Sequence, residues 1–439
     1  MASHSELYPP SIPLRIARRP SGAALGAMLL AVLVGVAALF LAGGERAWHA
    51  LHLNWMYWSS IAIGMVIFAV ALHLTNARWS WSIRRFALAG VSFLPVSFVL
   101  FLVMMIGGRH VYFHHWLPSD HGNPVETDPV LHAKAAWLNF NGMMVRDIVA
   151  LLVLFGLATY FARLMLRTDV YGLERTGRRG WPYTWLTRGY GQVEDEAQRA
   201  HNRALYVGVF TALAFAFGWG LIGIDVGMTT LPHFFSTMFP VAFFIGAFHG
   251  ALAMTALQVV IWRGPLRLAD YITAKQFHDL GKLIFAFAVF WMYINWSQYV
   301  VIWYGLLPYE QEYFVNKFSG PYGKYVQAAV LMIFVTPFLG LLSRAPKKVP
   351  KILATFAVII LVGHYLERFL LATPNYWTHE GAPLGLPEIG VAVGFLGLFM
   401  FCYTWFLSTF PVLPSPASLA AAGTGMVSVP DRGPHAVHA

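Results

Sequence analysis

Residues 283–305 read LIFAFAVFWMYINWSQYVVIWYG, twenty-three positions without a charge. As a helix rising about 1.5 Å per residue, the stretch is roughly 35 Å long. That exceeds the hydrocarbon core of a bilayer, about 30 Å. It is therefore read as a membrane-spanning helix. Its second half nevertheless carries Asn295, Ser297 and Gln298, and the chain beyond it turns acidic at Glu310 and Glu312. Amides and a hydroxyl inside lipid need partners, so this helix is expected to face other polar helices rather than stand alone.

The rest of the 439-residue chain has the same character. It is 58% hydrophobic, 16% aromatic and only 11% charged, against about 25% charged residues in a soluble domain. Nine further stretches are long and apolar enough to span: 24–43, 55–74, 86–107, 148–166, 204–224, 239–262, 325–343, 352–371 and 388–409. Backbone groups in lipid must be satisfied within the segment, so ten spans predict an all-α integral membrane protein.

The formal charge of +10 suggests nucleic acid at first sight, but its placement argues otherwise. Lys and Arg number 22 in the termini and the connections after the second, fourth, sixth and eighth spans, against six in the opposite connections. This is the asymmetry of the positive-inside rule. It predicts both termini in the cytoplasm and no nucleic-acid partner. The run ARRPSGAALGAMLLAVLVGVAALFLAGG (17–44) is read as a retained first helix, because its apolar core is longer than the 7–15 residues of a signal peptide. Residues 410–439, rich in Pro, Gly, Ala and Ser, are expected to be a disordered tail. The single cysteine, Cys402, makes no iron–sulfur cluster by itself, since clusters take about four cysteines.

Ionisable groups inside spans cost about 2.5–3.5 kcal/mol each on insertion scales, which makes them functional candidates. They are His73 near the inner end of the second span, His249 in the sixth, and His364, Glu367 and Arg368 in the ninth. His278 and Asp279 open the seventh span, while Asp225 and His233 lie at the outer rim. At about 1.5 Å per residue, His249 lies roughly 15 Å and His364 roughly 10 Å from the outer ends of their helices. Together with Asn295, Ser297, Gln298 and Glu310, these groups form a candidate proton path. A carboxylate and a histidine among aromatics also suit a quinone head group, which needs hydrogen-bond partners, a proton acceptor and apolar walls.

Other readings of the same residues are packing histidines, a b-type haem between His249 and His364, and a secondary transporter. In RHVYFHHWLPSDHG (109–122), His110, His114, His115, Asp120 and His121 match no strong zinc spacing. No metal site is assigned.

Five stretches together carry a family resemblance: NARWSWSIRR (76–85), DPVLHAKAAWLN (128–139), GIDVGMTTLPHFFSTMFPVAFFIGAFHG (223–250), FHDLGKLIFAFAVFWMYINWSQYVVIWYGLLPYEQEYF (277–314) and GHYLERFLLATP (363–374). They resemble the NrfD/polysulfide-reductase type of quinone-interacting membrane subunit, and within it the second such subunit of bacterial alternative complex III. The resemblance implies two four-helix bundles, 55–224 and 225–371. It adds a peripheral pair made of the first helix, in 24–54, and the last, in 372–409. It implies a subunit of a quinol:electron-acceptor oxidoreductase in the bacterial inner membrane, with menaquinone or ubiquinone as the quinone. The implied partners are an iron–sulfur subunit on the outer face, a second NrfD-like subunit and multihaem cytochromes c. Iron–sulfur clusters and haem c would belong to those partners, with no cofactor held by this chain. The alternatives are the membrane anchor of a molybdenum-enzyme complex and a purely structural scaffold. The chain departs from the family at Asp225-Val226, where the family has Asp-Trp, and at Leu306–Glu310, where it has Asn-x-Pro-Glu-Glu.

Overall fold

The computed structural model describes residues 16–119, 122–174, 180–191, 193–377 and 381–423. Asp120 and His121 of the histidine-rich loop, and the terminal segments 1–15 and 424–439, lie outside the described residues. The described elements are all helices, with no strand among them.

Ten helices are long and apolar enough to cross a membrane: α1 (Gly22–Ala42), α2 (Gly44–Leu74), α3 (Arg84–Tyr112), α4 (Phe140–Tyr171), α5 (Asp195–Thr230), α6 (Phe239–Arg263), α7 (Ala274–Gly305), α8 (Gly320–Gly340), α9 (Pro350–Asn375) and α10 (Leu386–Thr409). The protein is thus a multi-pass helical membrane protein. Consecutive spans alternate in direction. The connections after α2, α4, α6 and α8 therefore share one end, here called the basic end, and the others form the loop end.

Local chemistry sets the helix limits. Thr273 and Gln276 form a capping box at the start of α7, satisfying two of its first amides. Pro240, Pro350 and Pro387 sit in the first turns of α6, α9 and α10, where the missing N–H costs nothing. At its other end α7 stops on Leu306 in the left-handed region, φ 51°, and Pro308 opens a short helix, Pro308–Phe318, that lies across the loop end.

Helices α2 to α5 pack on one another, as do α6 to α9, and α2 joins the two groups by packing along α6 and α9. Helix α2 is almost wholly buried, whereas α1 is largely exposed on its outer face. The α2–α6 seam is close because Gly64 has no side chain. A Cβ there would stand 2.5 Å from the carbonyl oxygen of Ala247. Helices α1 and α10 pair at the periphery in the same way, with a Cβ on Gly35 falling 2.5 Å from the Cα of Gly394. Small residues that let backbones approach are the usual device for packing helices in lipid. Arg46, opening α2, also grips buried Glu388 of α10 through two bonds of 2.7 and 3.0 Å.

The structure corrects one sequence expectation. Residues 410–423 are not a disordered tail. Ser415 caps a short helix, Pro416–Ala421, and Val412, Leu413 and Leu419 are buried. Asp169, near the end of α4, holds the segment by accepting from the Ser415 amide (2.9 Å) and the Ser418 hydroxyl (2.6 Å). Composition suggested disorder, but the prolines and serines here start and cap a helix, and the leucines anchor it.

Candidate functional site

The polar residues of α6, α7 and α9 meet about a third of the way in from the loop end. On α9, His364 and Glu367 are three residues apart and so share a face. The Nδ1 of His364 lies 2.7 Å from Oε2 of Glu367, and its Nε2 lies 3.0 Å from Nδ1 of His249 on α6. The indole of Trp291, on α7, donates to Oε1 of Glu367 at 2.6 Å. The result is a continuous hydrogen-bonded line, His249–His364–Glu367–Trp291. His249, His364 and Arg368 are buried, and the Glu367 side chain is 12% exposed.

Helix α6 makes room for this line. Gly246 and Gly250 flank His249 on one face, and a Cβ at Gly246 would stand 3.0 Å from Oε2 of Glu367 and 3.1 Å from Nη2 of Arg368. The Arg368 guanidinium donates to the carbonyl of Phe243 at 2.9 Å and lies 4.2 Å over the Phe243 ring. Glu367 thus has a buried cation beside it and two N–H donors on its oxygens.

The line ends at a cavity of about 370 Å³ whose wall includes Glu367, Trp291, Asn295, Tyr299, Phe314 and Lys317. Lys317 comes from the short helix Pro308–Phe318, and its Nζ lies 3.6 Å from the ring centre of Tyr313. Burial pushes the Lys317 ammonium down to about 7, against the pull of the Glu367 carboxylate. A carboxylate, an amide and a lysine that loses its proton near neutrality therefore converge on one aromatic-walled space.

The tautomers follow from the bonding. A carboxylate only accepts, so Nδ1 of His364 carries a proton. If His364 is neutral, its Nε2 accepts from His249. If it is an imidazolium, its Nε2 donates and His249 accepts. Moving the proton of the shared bond from an imidazolium His249 to His364 converts the first arrangement into the second without moving a heavy atom. This is the geometric requirement for a proton relay.

The other expected residues lie elsewhere. Asp225 sits at the loop end on a π-helical turn of α5, completely buried. It accepts from Arg146 at 2.6 and 2.7 Å and from the indole of Trp137 at 2.9 Å. His233 pairs with Asp128 at 2.7 Å and stacks on Tyr309, the neighbour of Glu310. That contact holds the Asp128 carboxyl below its ordinary range. Ser297 turns back to the carbonyl of Tyr293 at 2.7 Å, and Asn295, although on the cavity wall, also bonds the carbonyl of Trp291. Gln298 is buried, with no partner for its Nε2. His278 and Asp279 stand at the basic end, where Asp279 meets Lys282 at 2.7 Å. His73 lies at the same end beside Arg84 and His201. The inner group is therefore separate from the relay.

Two participants were not singled out in the sequence, Trp291 and Lys317. Trp291 lies in the aromatic run of the seventh span, and Lys317 in the connection that follows it. The Gly246–Gly250 spacing on either side of His249 was the available signal for a close helix crossing. Asp147, which opens α4 beside Arg146, is completely buried next to the Arg146–Asp225 pair, and neither of its carboxyl oxygens meets a hydrogen-bond partner.

Among the described residues, no three His, Cys, Asp or Glu side chains gather as a metal-binding set. The sequence matches no family model and no curated protein.

Proposed function

We propose that this protein is the membrane subunit of a quinol-oxidising respiratory complex of the NrfD/polysulfide-reductase type. Within that class it is taken as alternative complex III-like, residing in a bacterial inner membrane with both termini cytoplasmic. The single observation that carries the reading is the cavity bounded by Glu367. Its volume falls within the range usual for small-molecule sites, about 300–1,000 Å³. Its walls are aromatic, and its one carboxylate begins a buried imidazole line.

In this reading a quinol gives up two protons with its two electrons: one hydroxyl hands its proton to Glu367, the other to Lys317 in its uncharged form, and Asn295 donates a hydrogen bond to the second ring oxygen. The electrons leave to a partner, an iron–sulfur subunit at the loop end that passes them to multihaem cytochromes c. A second NrfD-like subunit would accompany the chain. Glu367 can protonate Nδ1 of His364 once the proton of His364 resides on Nε2, and that Nε2 proton passes to Nδ1 of His249; the reverse shift returns it.

The test is equilibrium binding of a short-chain quinone to the purified full chain, read by quenching of tryptophan fluorescence, since Trp291 and Trp296 line the cavity. Ala329 also lines it, buried on α8. Ala329→Phe fills the space without touching the relay and is expected to weaken quinone binding about tenfold or more, equivalent to 1.4 kcal/mol. Equal binding by wild type and variant, or no binding by wild type, rejects the cavity as a quinone site.

A further inference from the structure

At the basic end of the first bundle, far from the relay, α3, α4, α5 and the segment 410–423 enclose a smaller cavity of about 50 Å³. One water needs only about 10–15 Å³ of such space, so there is room for several waters or one tetrahedral anion. The polar lining holds two guanidinium groups, Arg84 and Arg85, with the imidazoles of His73 and His201 and the hydroxyls of Thr168 and Ser418. The nearby carboxylate, Asp169, is already engaged by Arg85, the Ser415 amide and the Ser418 hydroxyl.

Arg84 is left over. It is 9% exposed and makes no ion pair among the described residues. Its acceptors are neutral and distant: the carbonyl of Leu72 and the hydroxyl of Ser80 at 3.3 Å, the carbonyl of Ala77 at 3.4 Å and Nδ1 of His73 at 3.5 Å. Its Nε is buried without an acceptor, and so is Nη1 of Arg85, which is 2% exposed. A buried cation without a counter-charge costs several kcal/mol. Two adjacent guanidinium groups with free N–H donors fit the oxygens of a phosphate.

We propose that this cavity binds one phosphate-class oxyanion, supplied either by a phospholipid head group or by free phosphate. The position favours the head group. Arg84 opens α3, so it stands at the edge of the hydrocarbon region, and Trp81, Leu164 and Leu419 give the cavity an apolar wall. Basic pockets between helices on the positive side of membrane proteins recognise acidic lipid head groups.

The test uses the lipid-stripped full chain in detergent. Native mass spectrometry counts retained phosphatidylglycerol against diacylglycerol with the same acyl chains. A thermal melt compares inorganic phosphate with chloride at equal ionic strength. One retained phosphatidylglycerol per chain, with diacylglycerol washed out, assigns the lipid. A phosphate-specific rise in Tm with no lipid retained assigns the free anion. Arg84→Gln is expected to weaken the effect about tenfold or more. Should that variant fail to fold, Ala422→Phe carries the test, because it fills the cavity from a half-buried position and leaves both arginines intact. Lys275→Gln, an exposed cation at the same end, is expected to bind as wild type does. A wild-type chain indifferent to both phosphate sources overturns the proposal. So does wild-type binding by Ala422→Phe together with any folded Arg84→Gln.

Discussion

Replacing Glu367 by Gln changes the site in two separable ways. The first is electrostatic. Glu367 Oε2 and Arg368 Nη2 lie 3.0 and 3.1 Å from the same point, the Cβ position over Gly246, so they are at most about 6 Å apart. At an effective dielectric constant near 20, that attraction is about 3 kcal/mol. Its loss is expected to lower the melting temperature of the assembled protein. The second change is chemical. An amide keeps one acceptor and gains a donor, so either His364 or Trp291 loses its acceptor, unless His364 switches tautomer and receives the amide N–H. Either way, the group can no longer take a proton. General-base roles are worth about 10²–10⁴ in rate, so quinol turnover per assembled complex is expected to fall at least about a hundredfold. Glu388→Gln is the control, because it also removes a buried carboxylate from an arginine, Arg46, but outside the relay and its cavity. It should lower the melting temperature and leave turnover per assembled complex unchanged. If Glu367→Gln keeps turnover within about twofold of wild type while its melt falls, the carboxylate serves only to neutralise Arg368, and the relay argument fails.

Three further perturbations test other parts of the structure. Lys317 has a folded value near 7 and the ordinary lysine value of 10.5 when unfolded. Between these values the unfolded chain binds more protons, so stability rises with pH there. Lys317→Met is expected to flatten that rise in a series of melts across the interval, and parallel curves for the two proteins would contradict it. At the α1–α10 crossing, a Cβ on Gly394 would fall 2.6 Å from the Cα of Gly35, so one backbone must move. Gly394→Val should therefore cost about 1–3 kcal/mol, as overpacking does, and an unchanged melt would show that the pair is not in contact. Asp169→Ala leaves Arg85 buried without its counter-charge, a loss of about 3–5 kcal/mol, and frees Ser415 and Ser418. Limited proteolysis should then cut within 411–423 faster than in wild type; equal rates would mean that Leu413 and Leu419 hold the segment unaided.

The spans were legible because a run of twenty uncharged residues has few alternatives, and all ten expected helices have counterparts in the structure. The relay histidines and Glu367 were legible for a related reason: an ionisable group in lipid is expensive, so its presence marks a partner. The partners themselves were not legible. Nothing local says that His364 meets His249 rather than His73, because that depends on how α6 and α9 are rotated, and the rotation is fixed by Gly246 and Gly250. Lys317 was missed since it precedes α8 by only a short stretch and looks like a solvated loop cation. It becomes part of the site only because Pro308–Phe318 folds back over the cavity. The packed segment 410–423 was missed for the opposite reason: composition averaged over the whole C-terminal region hides one capped turn.

The two bundles treat their buried carboxylates differently, and the difference points to where a proton can move. In the first bundle Asp225 accepts two bonds from Arg146, a group that stays charged at any working pH. Asp225 is thus held on both oxygens by one guanidinium. Glu367 also has a guanidinium nearby, that of Arg368, but its own hydrogen bonds come from an imidazole and an indole, and the imidazole can carry one proton or two. His364 Nδ1 lies within hydrogen-bond distance of a Glu367 oxygen whichever of the two carries the proton, so a proton can pass between them without moving a heavy atom. At the far end Nε2 of His249 is buried with no hydrogen bond, whereas Glu367 opens on the cavity. In the proposed function, a proton entering at Glu367 therefore has the cavity on one side and the histidines on the other. If the proposed function holds, this asymmetry makes the second bundle, rather than the first, the place where chemistry at the cavity is coupled to proton release.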